Sequence, residues 1–105
     1  MKDIKPYNEQ GERHGYWEEY WSNGNMCFKG NYDNGKQVGY WEWYDKNGNP
    51  TDRGNYLNKK RHGYWKSYHF NGSIFFKGSY HNDIPVGYWE WYNEDGKLTE
   101  QIFYT

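Results

Sequence analysis

The sequence contains no alanine, and its other aliphatic residues are few: four isoleucines, two leucines and two valines in 105 residues. A compact core normally depends on these residue types. In addition, 13 glycines are scattered through the chain, and each of them lowers the helix propensity of its surroundings. The composition therefore argues against an aliphatic globular core and against long helices.

Cysteine occurs once, as Cys27, so no internal disulfide can form. We take a reducing compartment as the default and expect a cytoplasmic location. No apolar run reaches the roughly 18 residues of a membrane-spanning helix, and residues 1–6 lack the apolar segment of a secretory signal. Lys and Arg number 13 against 14 Asp and Glu. Without a basic excess, nucleic acid is not expected as a partner.

The abundant residues are aromatic: 13 Tyr, 7 Trp and 5 Phe make up 24% of the chain. They form a repeat, because the tripeptide Gly-Tyr-Trp occurs at residues 15–17, 39–41, 63–65 and 87–89, always 24 residues apart. Each copy continues to a tyrosine and then to a turn pair: Asn23-Gly24, Asn47-Gly48, Asn71-Gly72 and Asp95-Gly96. A fixed period of this length is typical of repeat architectures.

We therefore predict a single domain of four repeats, preceded by a partial N-terminal cap at residues 4–14. The repeats are residues 15–38, 39–62, 63–86 and 87–105. A weaker period of 48 residues overlies them, since Arg13-His14 recurs as Arg61-His62 and Val38 as Val86. This longer period indicates tandem duplication of a two-repeat unit.

Asn-Gly and Asp-Gly between strands predict hairpins, because a type I′ turn needs a positive φ at both central residues. If Asn23-Gly24 is a two-residue loop, Trp17 lies opposite Gly30. The same alignment in the next copy places Trp41 opposite Gly54, so that a ring covers the glycine. We predict that the repeat depends structurally on its glycines and tryptophans: Gly15, Trp17, Gly30, Gly39, Trp41, Gly54, Gly63, Trp65, Gly78, Gly87 and Trp89.

The intervening connections, Gln10-Gly11, Asn34-Gly35, Asn58-Lys59 and Asn82-Asp83, also look like turns. The predicted fold class is then all-β: a single-layer, antiparallel, up-and-down meander of about nine short strands, elongated and twisted. Strand alternation sorts the side chains onto two faces. One face carries the tryptophans and glycines, and the other carries eight tyrosines interleaved with charged residues.

The segment Phe28-Lys29-Gly30-Asn31-Tyr32-Asp33-Asn34-Gly35, followed by Gly39, resembles the MORN repeat, and Phe76-Lys77-Gly78-Ser79-Tyr80 followed by Gly87 is a second match. The longer unit, Gly-x-Trp-x-x-Tyr-x-x-Asn-Gly, is similar to the variant found in bacterial proteins described as antitoxin components. The resemblance covers roughly residues 7–104. It implies stacked hairpins in a single layer, and scaffolding or protein–protein contact rather than catalysis. Ile102 stands where the other copies have glycine, as terminal repeats often do.

Catalytic, cofactor and metal sites are not predicted. His14 and His62 occupy equivalent positions two repeats apart, too far to share a metal ion. His69 and His81 could approach each other across a hairpin, but no further ligand completes a set. Cys27 has no fixed base beside it and is interpreted as a structural thiol. The glycines precede strands rather than helices, so no phosphate-binding loop is expected.

The exposed tyrosines have two interpretations: they stiffen a thin sheet, or they form a contact surface. We predict that the central part of the tyrosine-bearing face binds a protein, with Phe75 opposite Tyr68. The candidate binding residues are Tyr40, Tyr44, Arg53, Tyr64, Tyr68, Phe75, Lys77 and Tyr88. The favoured function is a non-enzymatic protein-binding module, antitoxin-like or inhibitory. The alternatives are a glycan- or small-ligand-binding repeat, a partner groove on the Trp-bearing face, and a component, viral for example, that self-assembles edge to edge as a homo-oligomer.

Overall fold

The computed structural model describes residues 2–105, and these form one antiparallel sheet with no helix. Its strands follow one another in chain order across the sheet, so every neighbour in sequence is a neighbour in space. The strands are β1 (Gly15–Tyr20), β2 (Met26–Asp33), β3 (Lys36–Tyr44), β4 (Pro50–Leu57), β5 (Lys60–Tyr68), β6 (Ile74–His81), β7 (Ile84–Tyr92) and β8 (Leu98–Tyr104).

The sheet is one layer thick. Its principal extents are 47 × 34 × 12 Å, and its radius of gyration is 15.5 Å, above the roughly 13 Å of a compact domain of about 100 residues. The predicted fold class, an elongated single-layer meander, is confirmed. In place of a ninth strand, the segment before β1 contributes the isolated bridges Ile4–Glu18 and Tyr7–Arg13.

The Asn23-Gly24 turn is not the predicted two-residue loop. Trp21 N donates to Asn25 O (2.7 Å), Gly24 N donates to Trp21 O (2.9 Å), and Gly24 has a φ of 92°. The connection is therefore a three-residue loop with glycine in the left-handed position, typical of a turn that ends in a bulge. The same hydrogen bonds recur in the other three hairpins.

The predicted register is nevertheless confirmed. The longer loop shifts the pairing by one residue, and a β-bulge in the second strand of the hairpin shifts it back. Near the turn Tyr20 pairs with Met26, but beyond it Glu19 pairs with Phe28 and Trp17 with Gly30. Cys27 is the unpaired residue between them. The equivalent unpaired residues in the other hairpins are Thr51, Phe75 and Thr99.

The expectation that Phe75 lies opposite Tyr68 is wrong. Tyr68 pairs with Ile74, and Phe75 is the bulged residue. The Phe75 ring contacts Phe76 (5.4 Å between centroids) and His69 (4.7 Å). Since Phe76 belongs to the Trp-bearing face, the bulge carries Phe75 away from the tyrosines.

True type I′ geometry occurs at the other set of turns, although two of them, Asn58-Lys59 and Asn82-Asp83, lack the glycine that is typical of it. Asn34 and Gly35 both have positive φ (48° and 87°), and so do Asn58 and Lys59 (51° and 75°). Strand pairing is continuous up to these turns, as in the Asp33–Lys36 pair. Asparagine tolerates the left-handed region, and it supplies the first turn residue here.

A second bulge lies between hairpins and determines where the tryptophans go. Between β2 and β3, Asn31 pairs with Val38 whereas Lys29 pairs with Glu42, so β3 has two extra residues there. Gly39 absorbs the distortion with a φ of 70°, a conformation unfavourable for other residues.

The inter-hairpin bulge folds Trp41, Trp65 and Trp89 each over a glycine of the preceding strand. A Cβ added to Gly30 would overlap the Trp41 ring, and one added to Gly54 would overlap Trp65. We expected Trp41 to cover Gly54, its partner within the hairpin. Trp41 is paired with Gly54 in register, but the ring that packs on the glycine comes from the next repeat.

Each of these indoles also makes a hydrogen bond to the backbone. Trp65 Nε1 donates to Asn55 O (2.9 Å), and Trp89 Nε1 donates to Ser79 O (3.1 Å). Trp41 Nε1 lies within reach of two carbonyls, Asn31 O and Val38 O. Phenylalanine or tyrosine could cover the glycine but lack this ring N–H.

These three tryptophans and Trp17 are the most buried large side chains, with Trp41 only 1% exposed. Tyrosines from the adjoining strand ends stand edge-on between them, with Tyr32 at 5.0 Å and Tyr56 at 6.2 Å from the Trp41 ring. This T-shaped geometry is favourable for aromatic pairs. We call this surface, which replaces a core, the tryptophan face: Trp17, Phe28, Tyr32, Trp41, Trp43, Tyr56, Trp65, Phe76, Tyr80, Trp89, Trp91 and Tyr104.

The Gly54→Val variant should be less stable than the parent by roughly 1–3 kcal/mol, the usual cost of overpacking. The added side chain overlaps Trp65, which is itself packed against Tyr56 and Trp43. Thermal unfolding should show the loss as a lower melting temperature, by about 4–8 °C per kcal/mol for a domain of this size.

Asn55→Val is the matched control, because it places the same side chain on the neighbouring exposed position of β4. A surface substitution of this kind changes stability by less than about 0.5 kcal/mol. Equal melting temperatures for the two variants would contradict the packing of Trp65 on Gly54.

Candidate functional site

Eight tyrosines lie on the side of the sheet opposite the tryptophan face. The strand pleat places them there because they alternate with tryptophans along β1, β3, β5 and β7. We call this surface, with the charged residues between the rings, the tyrosine face: Tyr16, Tyr20, Tyr40, Tyr44, Tyr64, Tyr68, Tyr88 and Tyr92. Five of the eight predicted binding residues are tyrosines of this face, and Arg53 and Lys77 lie between the rings, so that seven of the eight belong to it.

A row of seven charged side chains, followed by the neutral Gln101, crosses the tyrosine face from strand to strand. Each member lies directly opposite the next one, at a spacing that lets the side chains interact. In order across the sheet the row consists of Glu18, Lys29, Glu42, Arg53, Lys66, Lys77, Glu90 and Gln101.

Glu42 is the centre of this row in the second repeat, and it is only 7% exposed. Its carboxylate accepts hydrogen bonds from Tyr44 OH (2.7 Å) and Tyr40 OH (3.0 Å). Lys29 Nζ (3.1 Å) and Arg53 Nε (3.0 Å) form ion pairs with it. Burial raises the pKa of the carboxyl group, but these donors and charges outweigh it, so the pKa of Glu42 lies below its ordinary value of 4.5.

The tyrosines on either side respond in the opposite direction. Burial, and then the hydrogen bond and negative charge of Glu42, raise the pKa of Tyr40 to about 12. Burial and Glu18 do the same for Tyr16, with a pKa of about 12. Both phenols therefore remain protonated donors throughout the physiological range.

The structure brings some of the predicted binding residues together and separates others. Tyr40, Arg53, Tyr64 and Tyr68 line one small pocket with Lys66, about 160 Å³ in volume. Lys77 lies one strand further on, where its Nζ is 3.7 Å from Glu90 Oε1.

Neither Tyr44 nor Tyr88 lines this pocket. The Tyr44 hydroxyl is bound to Glu42, whereas the Tyr88 ring packs edge-on against Phe103 at 4.9 Å and is 69% exposed. Glu42 and Lys66 are central to this face but were not among the predicted binding residues. The available signal was the residue after each Gly-Tyr-Trp, which is Glu18, Glu42, Lys66 and Glu90 in turn.

The tryptophan face contains a larger open groove of about 590 Å³. Its aromatic lining includes Trp43, Tyr56 and Trp65. Asp52 lies at the position where the first repeat has Phe28, so the ring missing there opens the groove. Burial raises the pKa of the Asp52 carboxyl group.

The histidines do not meet as proposed from the sequence. His81 lies beside His62, with 5.1 Å between ring centroids. His69 Nε2 lies 2.6 Å from Tyr92 O instead. Within residues 2–105, no cluster of three or more His, Cys, Asp or Glu side chains has an arrangement suited to a metal ion. Cys27 is half-buried, and burial raises the pKa of its thiol. No helix able to cross a membrane occurs in the same residues.

Glu42→Gln should lower the free energy of unfolding by about 1.5–3 kcal/mol at neutral pH, the range for a hydrogen-bonded charge. Because folding lowers the pKa of Glu42 below 4.5, its contribution is complete above that pH and is lost as the pH falls through the folded-state value. Urea unfolding at neutral pH and at several acidic pH values should therefore show the parent and the variant converging in acid.

Glu94→Gln provides the control for this comparison, since Glu94 is an exposed turn residue. It should match the parent at every pH. A Glu42→Gln deficit that persists unchanged in strong acid would mean that packing, and not the ionised carboxylate, is responsible.

The comparison with known protein families gives one match. The family described as the MORN repeat variant matches residues 13–34, 37–58, 61–82 and 85–105. Each matched segment contains one hairpin of the sheet, from β1–β2 to β7–β8. No curated protein matches the chain. Since the four segments cover most of the sequence, the chain belongs to the MORN repeat variant family.

Proposed function

We propose that the chain is a non-enzymatic, protein-binding repeat module, and that it binds its partner through the central tyrosine face. MORN repeats are in general protein- or membrane-binding modules without catalytic activity. The observation that carries the proposal is a fixed array of open aromatic rings and cations on one side of a single-layer sheet.

The rings on this face are accessible although the sheet holds them in place. Tyr40 is 50% exposed and Tyr64 is 48% exposed. Tyrosine gives a large contact area at a low cost in conformational entropy, and Tyr and Arg are enriched among the residues that dominate binding energy. Arg53 lies with its Cζ 5.7 Å from the centre of the Tyr68 ring, so cation and ring can be buried together by a partner.

The proposed contact surface consists of the predicted residues that remain on this face: Tyr40, Tyr44, Arg53, Tyr64, Tyr68, Lys77 and Tyr88. Phe75 belongs to the opposite side. An inhibitory or antitoxin-like role, in which the sheet holds a partner protein, is part of the same proposal. It is supported by the similarity of the longer repeat unit to the bacterial variant.

Tyr64→Ala/Tyr68→Ala should weaken partner binding by roughly tenfold or more, the scale of one dominant interface residue. Neither hydroxyl is hydrogen-bonded within residues 2–105, so the sheet should keep its circular dichroism spectrum. The partner is first captured from the native host and identified by mass spectrometry. Its affinity for the parent and variant is then measured with purified proteins.

Tyr16→Ala/Tyr20→Ala is the matched control, because it removes the same two repeat positions at the first hairpin. It should leave affinity within about threefold of the parent. If both double variants bind normally and Trp43→Ala/Trp91→Ala stays folded but fails to bind, the contact surface is the tryptophan face. If none of these variants changes partner binding, and a substitution in the edge strand β1 or β8 abolishes a homo-oligomer, the function is edge-to-edge assembly and the proposal is wrong.

The groove on the tryptophan face supports a second candidate function, binding of a glycan or small ligand. Aromatic walls with a few polar groups are typical of ligand sites, and here Asp52 and Arg61 provide the polar groups. Titration calorimetry with soluble oligosaccharides tests this candidate. Trp43→Ala should abolish such binding, whereas Tyr64→Ala/Tyr68→Ala should leave it unchanged.

A further inference from the structure

The charged row of the tyrosine face alternates in sign except at the third repeat. Glu18, Lys29, Glu42 and Arg53 follow one another as acid, base, acid and base. Lys66 then faces Arg53 on one side and Lys77 on the other. Like charges directly opposite each other destabilise a sheet, so the chain has two unfavourable pairs where the repeat pattern provides favourable ones.

The two tyrosines around Lys66 also lack the glutamate that accepts from both tyrosines in the first and second repeats. Tyr16 and Tyr20 both donate to Glu18, at 2.6 and 2.7 Å. Across residues 2–105 no acceptor is found for the hydroxyl of Tyr64 or Tyr68. The reason is that the residue between them is a cation, which has no acceptor atom.

These residues surround the 160 Å³ pocket, whose lining is Tyr40, Arg53, Tyr64, Lys66 and Tyr68. No carboxylate in the described part of the chain pairs with Lys66, whose Nζ lies 5.6 Å from the centre of the Tyr64 ring. Arg53 Nε is 3.0 Å from Glu42 Oε2, so the charge of Arg53 is already paired. Within residues 2–105 the pocket therefore has one cation without a carboxylate partner, Lys66, and two tyrosine hydroxyls that are free to donate.

A carboxylate is the group that matches this lining. In the second repeat the same two tyrosine positions and the cross-strand cations hold Glu42, and in the fourth repeat Tyr92 and Lys77 hold Glu90. Hydrogen bonds from hydroxyls and cations to a carboxylate are stronger than neutral ones. The volume is that of roughly one side chain, so the pocket is too small for an extended ligand.

The surroundings favour a single acidic side chain over an anionic surface. Glu42 and Glu90 lie in the same row on either side of the basic cluster. A bilayer or a nucleic-acid backbone presents many negative charges within one Debye length of these carboxylates and would be repelled by them. A single acidic side chain projecting from a protein can enter the pocket without bringing further negative charge near Glu42 or Glu90.

We propose that the third repeat binds a glutamate or aspartate side chain of a protein partner, which occupies the place taken by the repeat's own glutamate elsewhere. The proposal rests on the proposed function, because it requires that the tyrosine face binds protein. It goes beyond that function in naming the chemistry of the contact and the residue, Lys66, that determines it.

The first test uses a defined probe. The blocked pentapeptide Gly-Ser-Glu-Ser-Gly is titrated into isotope-labelled protein, with the Gln peptide as control. The signals of Tyr64, Lys66 and Tyr68 should shift and saturate at millimolar Glu peptide and return towards the free positions with added salt. The Gln peptide should produce no saturable shift. Absence of saturation with the Glu peptide, or equal shifts with both peptides, overturns the proposal.

Lys66→Glu provides the decisive variant. The introduced carboxylate restores alternation with Arg53 and Lys77 and can accept from both tyrosines, so the melting temperature should rise. The same variant should lose the response to the Glu peptide, because the site is now filled from within. Lys66→Gln removes the like-charge repulsion without filling the site and should weaken the response less. A Lys66→Glu protein that still binds the Glu peptide contradicts the assignment.

Binding to the identified partner separates this proposal from the one on which it rests. If Lys66→Glu lowers partner affinity tenfold or more, as Tyr64→Ala/Tyr68→Ala does, both stand. If only the tyrosine variant loses affinity, the tyrosine face binds protein but not through an acidic side chain. If neither loses affinity, the proposed function fails. If the protein co-sediments with phosphatidylserine vesicles only when Lys66 is present, and the Glu peptide causes no shift, the third repeat binds a membrane and the proposal is wrong.

Discussion

The packing of a tryptophan on a glycine of the preceding strand is the interaction on which the rest of this sheet depends. The glycine has no Cβ, so the indole lies flat against the backbone, and the indole N–H satisfies a nearby carbonyl, as in the Trp65–Asn55 hydrogen bond. The ring reaches that position only because two extra residues in its own strand form a bulge. Glycine, bulge and tryptophan therefore make up one structural unit, and none of the three fulfils its role without the others.

This arrangement explains how a sheet without a second layer can be stable. The tryptophan face buries its rings against backbone and against edge-on tyrosines, so it functions as a core although one side of it is open. The tyrosine face is organised differently, by carboxylates that bind two tyrosine hydroxyls and cross-strand cations, with Glu42 the most complete example. The first face is determined by shape and the second by charge. Variation of charge on the tyrosine face therefore leaves the packing of the tryptophan face intact.

The repeat, the fold class and the register could be predicted from the sequence, because a 24-residue period and strand alternation leave few alternatives. The turn geometry could not. Asn-Gly is compatible with both a two-residue and a three-residue loop. The wrong loop length did not affect the predicted strand pairs, because the bulge at Cys27 compensates for the extra loop residue. At Phe75 the compensation fails, because Phe75 is the bulged residue itself. A shift of one residue in a strand moves the side chain to the other face of the sheet.

The packing contacts between neighbouring hairpins also could not be predicted from the sequence. The pairing of Trp41 with Gly54 was predictable, but the ring covers Gly30 because the inter-hairpin bulge redirects it. In the local sequence, Gly39 is the one residue that indicates the bulge. At the candidate site the sequence showed charged residues interleaved with the tyrosines, but it did not show that pairing across strands makes them a connected row.

Because Trp41, Trp65 and Trp89 each cover a glycine of the hairpin before them, these packing contacts link only adjacent copies of the repeat. Excision or insertion of one 24-residue unit would join a tryptophan to a different glycine in the same geometry, and the chain would remain foldable. Such a sheet can lengthen or shorten by recombination between copies while each copy changes its own charges. Copy number and surface chemistry can thus evolve separately in this architecture.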